Sequence, residues 1–321
     1  MPDTRRSREA MAQEGTLAHA AMLYWREGLR QDEIARRMGV SRATIVNYLR
    51  LARTLGIVEI RIRGESFTTS PLARSVAERH GLADVYIAHD DLDPQPEDDA
   101  VARTARLAGG ALFDLLEPDD RLGVAWGDTV QRVAQAFPTG EVPGLQVVQI
   151  IGSMHARHLF AAETCTIEIA RRTSARCRTL HAPAVLSTPG LASALREEPI
   201  IARQFEEFGR LTKVVFSVGN LAQDTTLLTA QIASSDDLDA AARLGACAVL
   251  CGRFIDPKGI EIDSPLHDRL MGITLDGLRN VPVRMLVAAG LNKLDAIRGV
   301  LAGGHATHLV TDERIAGALL S

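Results

Sequence analysis

Lysine occurs only at positions 213, 258 and 293 of this sequence, arginine filling every other basic position. Lys293 follows a strand-like run, Arg284–Ala288, and the loop Gly290-Leu291-Asn292, and it opens a helical pattern. A cation at a helix N-terminus opposes the helix dipole, so it sits there at a cost unless an anion compensates. That makes Lys293 a phosphate ligand in waiting; the plainer alternative is a solvated lysine at a sheet edge. Three other loops offer related chemistry. The first runs through Gly123, Trp126, Gly127, Asp128 and Thr129, where backbone amides and a hydroxyl at a helix start could cradle a phosphate or a cluster of sugar hydroxyls. Asp128 complicates this, because a carboxylate repels a dianion. The second is Gly152-Ser153-Met154 and the third Gly219-Asn220, each after an apolar run. Glycines in such loops also serve turn geometry alone. Asp256, ahead of Pro257, could accept hydrogen bonds from sugar hydroxyls or simply cap its own turn.

Constellations for covalent or hydrolytic catalysis are absent. There is no Gly-x-Ser-x-Gly elbow, no His-Glu-x-x-His and no Walker A lysine loop. His155 and His158 have no Cys, Asp or Glu at metal-ligand spacing around them, so they read as satisfied or exposed histidines. No metal and no cofactor are expected.

A second kind of chemistry lies near the N-terminus. Ala43, Asn47, Arg50 and Thr54 fall on the outward side of a helix whose inward side is Ile45, Leu49 and Ala52; Ser41 and Arg42 stand at its N-terminal tip, and Thr44 is a further candidate DNA contact. Arginine presents a fork to guanine, asparagine pairs with adenine, and alanine suits a thymine methyl. Arg36, Arg37 and Arg50 suit phosphates, which position without specifying sequence. Tyr48 falls nearer the inner face and reads as core.

These residues need elements to hold them. Gln31–Met38 predicts a short helix, Gly39-Val40 a tight turn and Ser41 an N-cap for the next helix. Two helices joined by such a turn form the helix-turn-helix, whose second helix enters the major groove. Leu17–Glu27, with Ala18, Ala21, Met22 and Trp25 as its apolar face, closes a three-helix core, and Glu59–Arg63 alternates as a small wing before a linker at Gly64. The rest alternates short β-branched runs with helices: strands at 121–125, 146–151, 177–180, Val214–Val218, Cys247–Leu250, Arg284–Ala288 and Leu309-Val310. That pattern argues a parallel α/β sheet covered on both faces, with ligands at the carboxyl ends of its strands.

Charge divides the same way. Residues 1–63 hold 12 Arg and 7 acidic side chains, whereas 64–321 hold 24 basic and 33 acidic ones. A basic head on an acidic body fits a nucleic-acid-binding module, 1–63, carried by an α/β effector-binding and oligomerisation domain, 64–321. No apolar run approaches the roughly 20 residues of a membrane span, and the N-terminal stretch lacks the apolar core of a secretory signal. Four cysteines without CxxC spacing suit free thiols in a cytoplasmic protein.

Taken together, these residues resemble the SorC family of bacterial sugar-responsive transcription regulators. The likeness runs from about Leu17 to Leu320 through the helix-turn-helix, GVAWGDTV, GRFIDPKG and AGLNKLDAIRGVLAGGHATHLVTDERIAGALL. It implies a winged helix-turn-helix domain plus an effector domain similar to the sugar-phosphate isomerase and glucosamine-phosphate deaminase fold. By that likeness Gly127, Thr129 and Lys293 would hold a phosphate and Asp256 a hydroxyl. Operator DNA, a sugar, sugar phosphate or polyol effector, and a second copy in a dimer or tetramer are the implied partners. Ala289, where the family often has a second glycine, and Asp128 leave room for a non-phosphorylated effector. A sugar-phosphate isomerase or deaminase with an appended DNA module is the rival reading, and it would need an acid–base pair at these loops.

Overall fold

The computed structural model describes residues 14–58, 70–89, 99–154, 162–221, 226–230 and 232–321. The expected wing over 59–63, the linker from Gly64, His155 and His158 lie outside the described residues. The chain divides into two compact units, residues 1–61 and 62–321.

The described residues of the smaller unit form three helices. Helix α1 covers residues 14–21 and runs on through a π-turn, Met22–Arg26. α2 is Gln31–Met38 and α3 is Arg42–Thr54. Gly39 ends α2 at φ 67°, a left-handed conformation that glycine adopts without steric cost. Ser41 caps α3 by accepting from the Thr44 amide at 3.0 Å. Ala20, Leu23, Ile34, Ala35, Ile45 and Leu49 form one core cluster, and Leu17, Ala21 and Ala52 another. The expected α1 face needs correction. Ala18 and Met22 are exposed, while Leu17, Ala20 and Leu23 are buried. Leu17, Ala20 and Ala21 recur at i, i+3 and i+4, so the buried stripe lies to one side of the expected one; beyond it the Glu27 amide reaches back five residues to the Met22 carbonyl.

The larger unit is a seven-stranded sheet, every pairing parallel, in the order β1-β10-β9-β5-β2-β3-β4. The strands are β1 Asp84–Ala88, β2 Arg121–Val124, β3 Gln146–Gln149, β4 Arg176–Arg178, β5 Lys213–Phe216, β9 Val283–Val287 and β10 His308–Asp312. Helices α5 (Ala100–Leu115), α6 (Asp128–Ala136) and α7 (Ala162–Thr173) cover one face, burying Tyr86, Val124, Val147, Val215, Val287 and Val310. The other face packs Ile87, Val148, Val214, Leu286 and Leu309 against α4 (Pro71–His80), α13 (Leu294–Ala302) and α14 (Glu313–Leu320), with α8 (Pro189–Glu197), α9 (Pro199–Phe208) and α12 (Leu275–Arg279) contributing.

One expectation fails. Val214–Val218 and Cys247–Leu250 do not both join the parallel sheet. After β5 the chain peels away, and β6 (Val218-Gly219) pairs antiparallel with β7 (Ala248–Leu250), which pairs antiparallel with β8 (Arg253–Ile255). The reversal between β7 and β8 is a two-residue turn, Cys251 at φ 50° and Gly252 at φ 80°, the positive-φ pair that suits a tight hairpin.

Lys213 has a structural use. Its ammonium lies 2.7 Å from the Asp120 carboxylate and both are buried; Asp120 also accepts from the Thr212 hydroxyl and the Glu117 amide. A buried charge needs such a saturated partner. Two further helices, α10 (Thr226–Thr229) and α11 (Ser235–Arg243), lie between β6 and β7.

Candidate functional site

From β2 the chain proceeds to β3 and β4 on one side, whereas β5, on its other side, leads toward β9 and β10. Such a switch point opens a crevice beyond the strands' carboxyl ends. The loops after β2, β5 and β9 flank it.

Gly127 takes φ 109° as the N-cap of α6, leaving its own Cβ position open, and Thr129 is buried one residue into the helix. Lys293 sits at the N-cap position of α13, after the short 3-10 turn Leu291–Lys293. Its ammonium lies 3.5 Å from the Thr129 hydroxyl, so two side chains 164 residues apart meet. Burial pushes the Lys293 ammonium below its ordinary pKa, and the Asp128 carboxylate pulls it partly back. Asp128 does not stand alone. Arg132, one turn on, bonds it at 3.1 Å and lies 3.4 Å from Asp99 as well. The repulsion expected of Asp128 is therefore partly neutralised within the helix. On the far side the Asn220 amide donates to the Asn292 carbonyl at 3.2 Å, joining the loop after β6 to the lysine loop, while Gly219 belongs to β6 itself.

Asp312 escaped the sequence reading. It is buried at the end of β10, and its two oxygens accept from the Gly290 amide at 2.7 Å and the Ile315 amide at 2.9 Å. One carboxylate thus caps α14 and pins the loop that carries Lys293. The signal was present in Thr-Asp-Glu ahead of an apolar helix, an N-cap pattern. Asp312→Ala should lower stability by about 1 kcal/mol, as other lost caps do, and weaken effector binding by loosening Gly290. Chemical denaturation and a ligand titration on the same sample check both.

Several expected site residues do other work. Gly123 lies inside β2, where a Cβ would come within 2.9 Å of Ile150; it makes room for packing and reaches no loop. At Gly152 a Cβ would stand 2.5 Å from the Pro183 carbonyl oxygen, and its amide donates to the Met271 carbonyl. Ser153 exchanges two backbone bonds with Ala182 and Ala184. With Met154 it lines a cavity of about 520 Å³ alongside His181, Val185, Ala230 and Ile232, and Met154 and Trp126 pack on a common cluster. Asp256 spends Oδ1 on the Lys258 and Ile260 amides, both at 2.8 Å. That is the turn-capping use, and its carbonyl packs toward Gly299 in mid-α13. Other residues of the GRFIDPKG segment hold the fold: buried Arg253 bonds Glu261 and the Ile273 carbonyl, and Gly259 leaves no space for a Cβ beside Gly303.

In the smaller unit Arg42, Ala43, Asn47 and Arg50 are exposed on α3, as are Arg36 and Arg37 on α2. Arg42 Nε donates to Gln31 at 3.3 Å, and Arg50 donates to Asn47 at 2.8 Å. Thr44 is only half-buried, and its hydroxyl is within 2.8 Å of Ser41; it belongs to the cap rather than to the outward face. Gln31, whose partner Arg42 lies 11 residues away in sequence, and Val46, exposed beside the buried Ile45, border the expected residues on this surface.

No helix among the described residues is long and apolar enough to cross a membrane, and no cluster of His, Cys, Asp and Glu there could hold a metal ion.

Known proteins carry the same arrangement. Residues 65–321 match the family described as "Putative sugar-binding domain". The chain is 34% identical to the uncharacterized transcriptional regulator YjhU of Escherichia coli strain K12, over 99% of this chain and 98% of that one. It is 29% identical to the deoxyribonucleoside regulator of Bacillus subtilis strain 168, over 94% and 96% of the two chains. The fold matches the full-length sorbitol operon regulator SorC of Klebsiella pneumoniae with a TM-score of 0.77 at 24% identity, covering 95% and 98% of the two chains. A helix-turn-helix joined to an α/β sugar-binding domain defines a class of ligand-responsive transcription regulators. The chain belongs to the SorC family of that class.

Proposed function

We propose that the protein is a cytoplasmic homo-oligomeric repressor of a carbohydrate or polyol catabolic operon, and that a phosphorylated sugar bound across Gly127, Thr129 and Lys293 alters its operator affinity. The observation that carries the effector assignment is the Lys293–Thr129 contact at the switch point. A partly buried ammonium whose pKa is depressed gains from an anion placed beside it, and the α6 N-terminus adds free amides. Coupling to DNA is linkage: an effector that prefers one arrangement of the protein shifts DNA affinity by that preference.

Asp128 favours a second reading, a free sugar or polyol whose hydroxyls the carboxylate would accept. Its bond to Arg132 weighs toward the phosphate. The enzyme reading would need an acid–base pair here; among the described residues Asp128 is tied to Arg132, and Asp312, which holds the lysine loop at Gly290, spends its oxygens on backbone amides.

Thermal unfolding in matched pairs of free and phosphorylated sugars and polyols tests the effector class. A ligand at 100 times its Kd stabilises by about 2.7 kcal/mol. Stabilisation by phosphorylated members alone is expected. Stabilisation by free sugars or polyols alone would transfer the site to Asp128, and turnover of a sugar phosphate by the purified protein would overturn the regulator-only reading.

A further inference from the structure

Residues 42, 46 and 50 lie four apart, so they form one stripe along α3, with successive members about 6 Å apart along the axis. The stripe reads Arg42, Val46, Arg50. Each arginine is drawn toward a neighbour: Arg42 to Gln31 across the turn, Arg50 to Asn47 on its own helix. Val46 has no such partner. It is 47% exposed and stands outside both apolar clusters of this unit, although Ile45 beside it is fully buried. Polar side chains held in pairs on either side of a bare isopropyl group make a surface with one apolar point at its centre. Among the base edges of the major groove, the C5-methyl of thymine is the apolar group that such a point can meet.

We propose that Val46 is a specificity-determining residue that packs on a thymine C5-methyl in the operator, between the contacts of Arg42 and Arg50. Gln31 acts as a positioning residue, holding the Arg42 guanidinium to one side of that contact. The assignment rests on the DNA-binding reading of the smaller unit. It differs from assigning the methyl to Ala43, which lies on a neighbouring stripe and reaches less far.

The experiment uses the full-length protein and a random-sequence duplex library. Each thymine of the selected duplex is then replaced singly by deoxyuridine, which removes only the methyl. One position should lose about four-fold in affinity, the worth of one buried methyl-sized group. For Val46→Ala the same replacement should cost nothing further, while the thymine duplex already binds it about four-fold more weakly. Val46→Thr, which keeps the branched shape and one methyl, should recover part of the discrimination. The unfolding temperature should stay within a degree or two of wild type, because the side chain is outside the core. If no thymine is sensitive, or if Val46→Ala still distinguishes thymine from uracil, the assignment falls; in the second case Ala43 inherits the methyl. A protein that enriches no sequence at all would overturn the DNA-binding reading, and this assignment with it.

Discussion

Lys293→Met is expected to abolish the response to the effector while leaving operator binding intact. Methionine keeps the length and apolar stem of lysine and removes the charge. A hydrogen bond to a charged group contributes about 1.5–3 kcal/mol, so effector affinity should fall roughly 10- to 150-fold, beyond usable concentrations for a weak metabolite ligand. The variant has a second signature. Burial works against the Lys293 ammonium in the unliganded protein, so removing the charge should not lower the unliganded unfolding temperature. Loss of the ligand-induced shift with an equal or higher starting temperature separates a binding role from a structural one. An unchanged response would remove Lys293 from the site.

The same lysine sets a pH dependence. Its folded-state pKa is lowered, so the unliganded fold bears a cost for the charged form at neutral pH. That cost is relieved as pH rises through the lowered pKa toward the ordinary lysine value, and stability from this group rises across that window. Effector affinity should move the other way, weakening on the alkaline side earlier than an ordinary lysine would dictate. Effector titrations from neutral to alkaline pH check this; a flat profile would count against a charge-based contact.

Much of this was legible in the sequence because local chemistry and fold agree there. Gly39 and Ser41 mark their turn and cap by side-chain type alone, and Ile45, Leu49 and Ala52 bury at their helical spacing. The rarity of lysine singled out Lys293, and a parallel sheet places strand-following loops at one end whatever the strand order. Some failures are local, such as the α1 face and the Thr44 hydroxyl drawn into the cap; the others are non-local. A three-residue apolar run such as Ala248–Leu250 says strand without saying which partner, so the antiparallel sheet stayed hidden. Asp256 and Asp312 are both aspartates at the ends of strands, yet one closes its own turn while the other ties down the lysine loop. Only the position of Gly290, 22 residues away in sequence, separates them. Lys213 has no role legible in the sequence alone, because Asp120, which holds it, is distant in sequence.

Arg42→Ala should weaken binding to the selected operator by about 10- to 100-fold while changing binding to random duplex only slightly. The argument is positional. Arg42 opens α3, the end of a recognition helix that reaches base edges. Its Nε is engaged by Gln31, which leaves the two terminal nitrogens to form the fork that guanine O6 and N7 accept, worth about 1–3 kcal/mol of discrimination. Gln31→Ala should give a weaker version of the same loss, because the guanidinium then samples other orientations before binding. Arg36→Ala and Arg37→Ala provide the contrast. Both are exposed on α2, and the ion pair of Arg37 with Glu27 at 3.5 Å is solvent-exposed and therefore weak. As phosphate contacts they should weaken operator and random duplex alike and make the salt dependence shallower by about one unit of slope. Affinities measured on both duplexes across a salt series separate the two behaviours. If Arg42→Ala instead lowers both affinities equally with a shallower slope, Arg42 is a phosphate contact and the sequence is read elsewhere on α3.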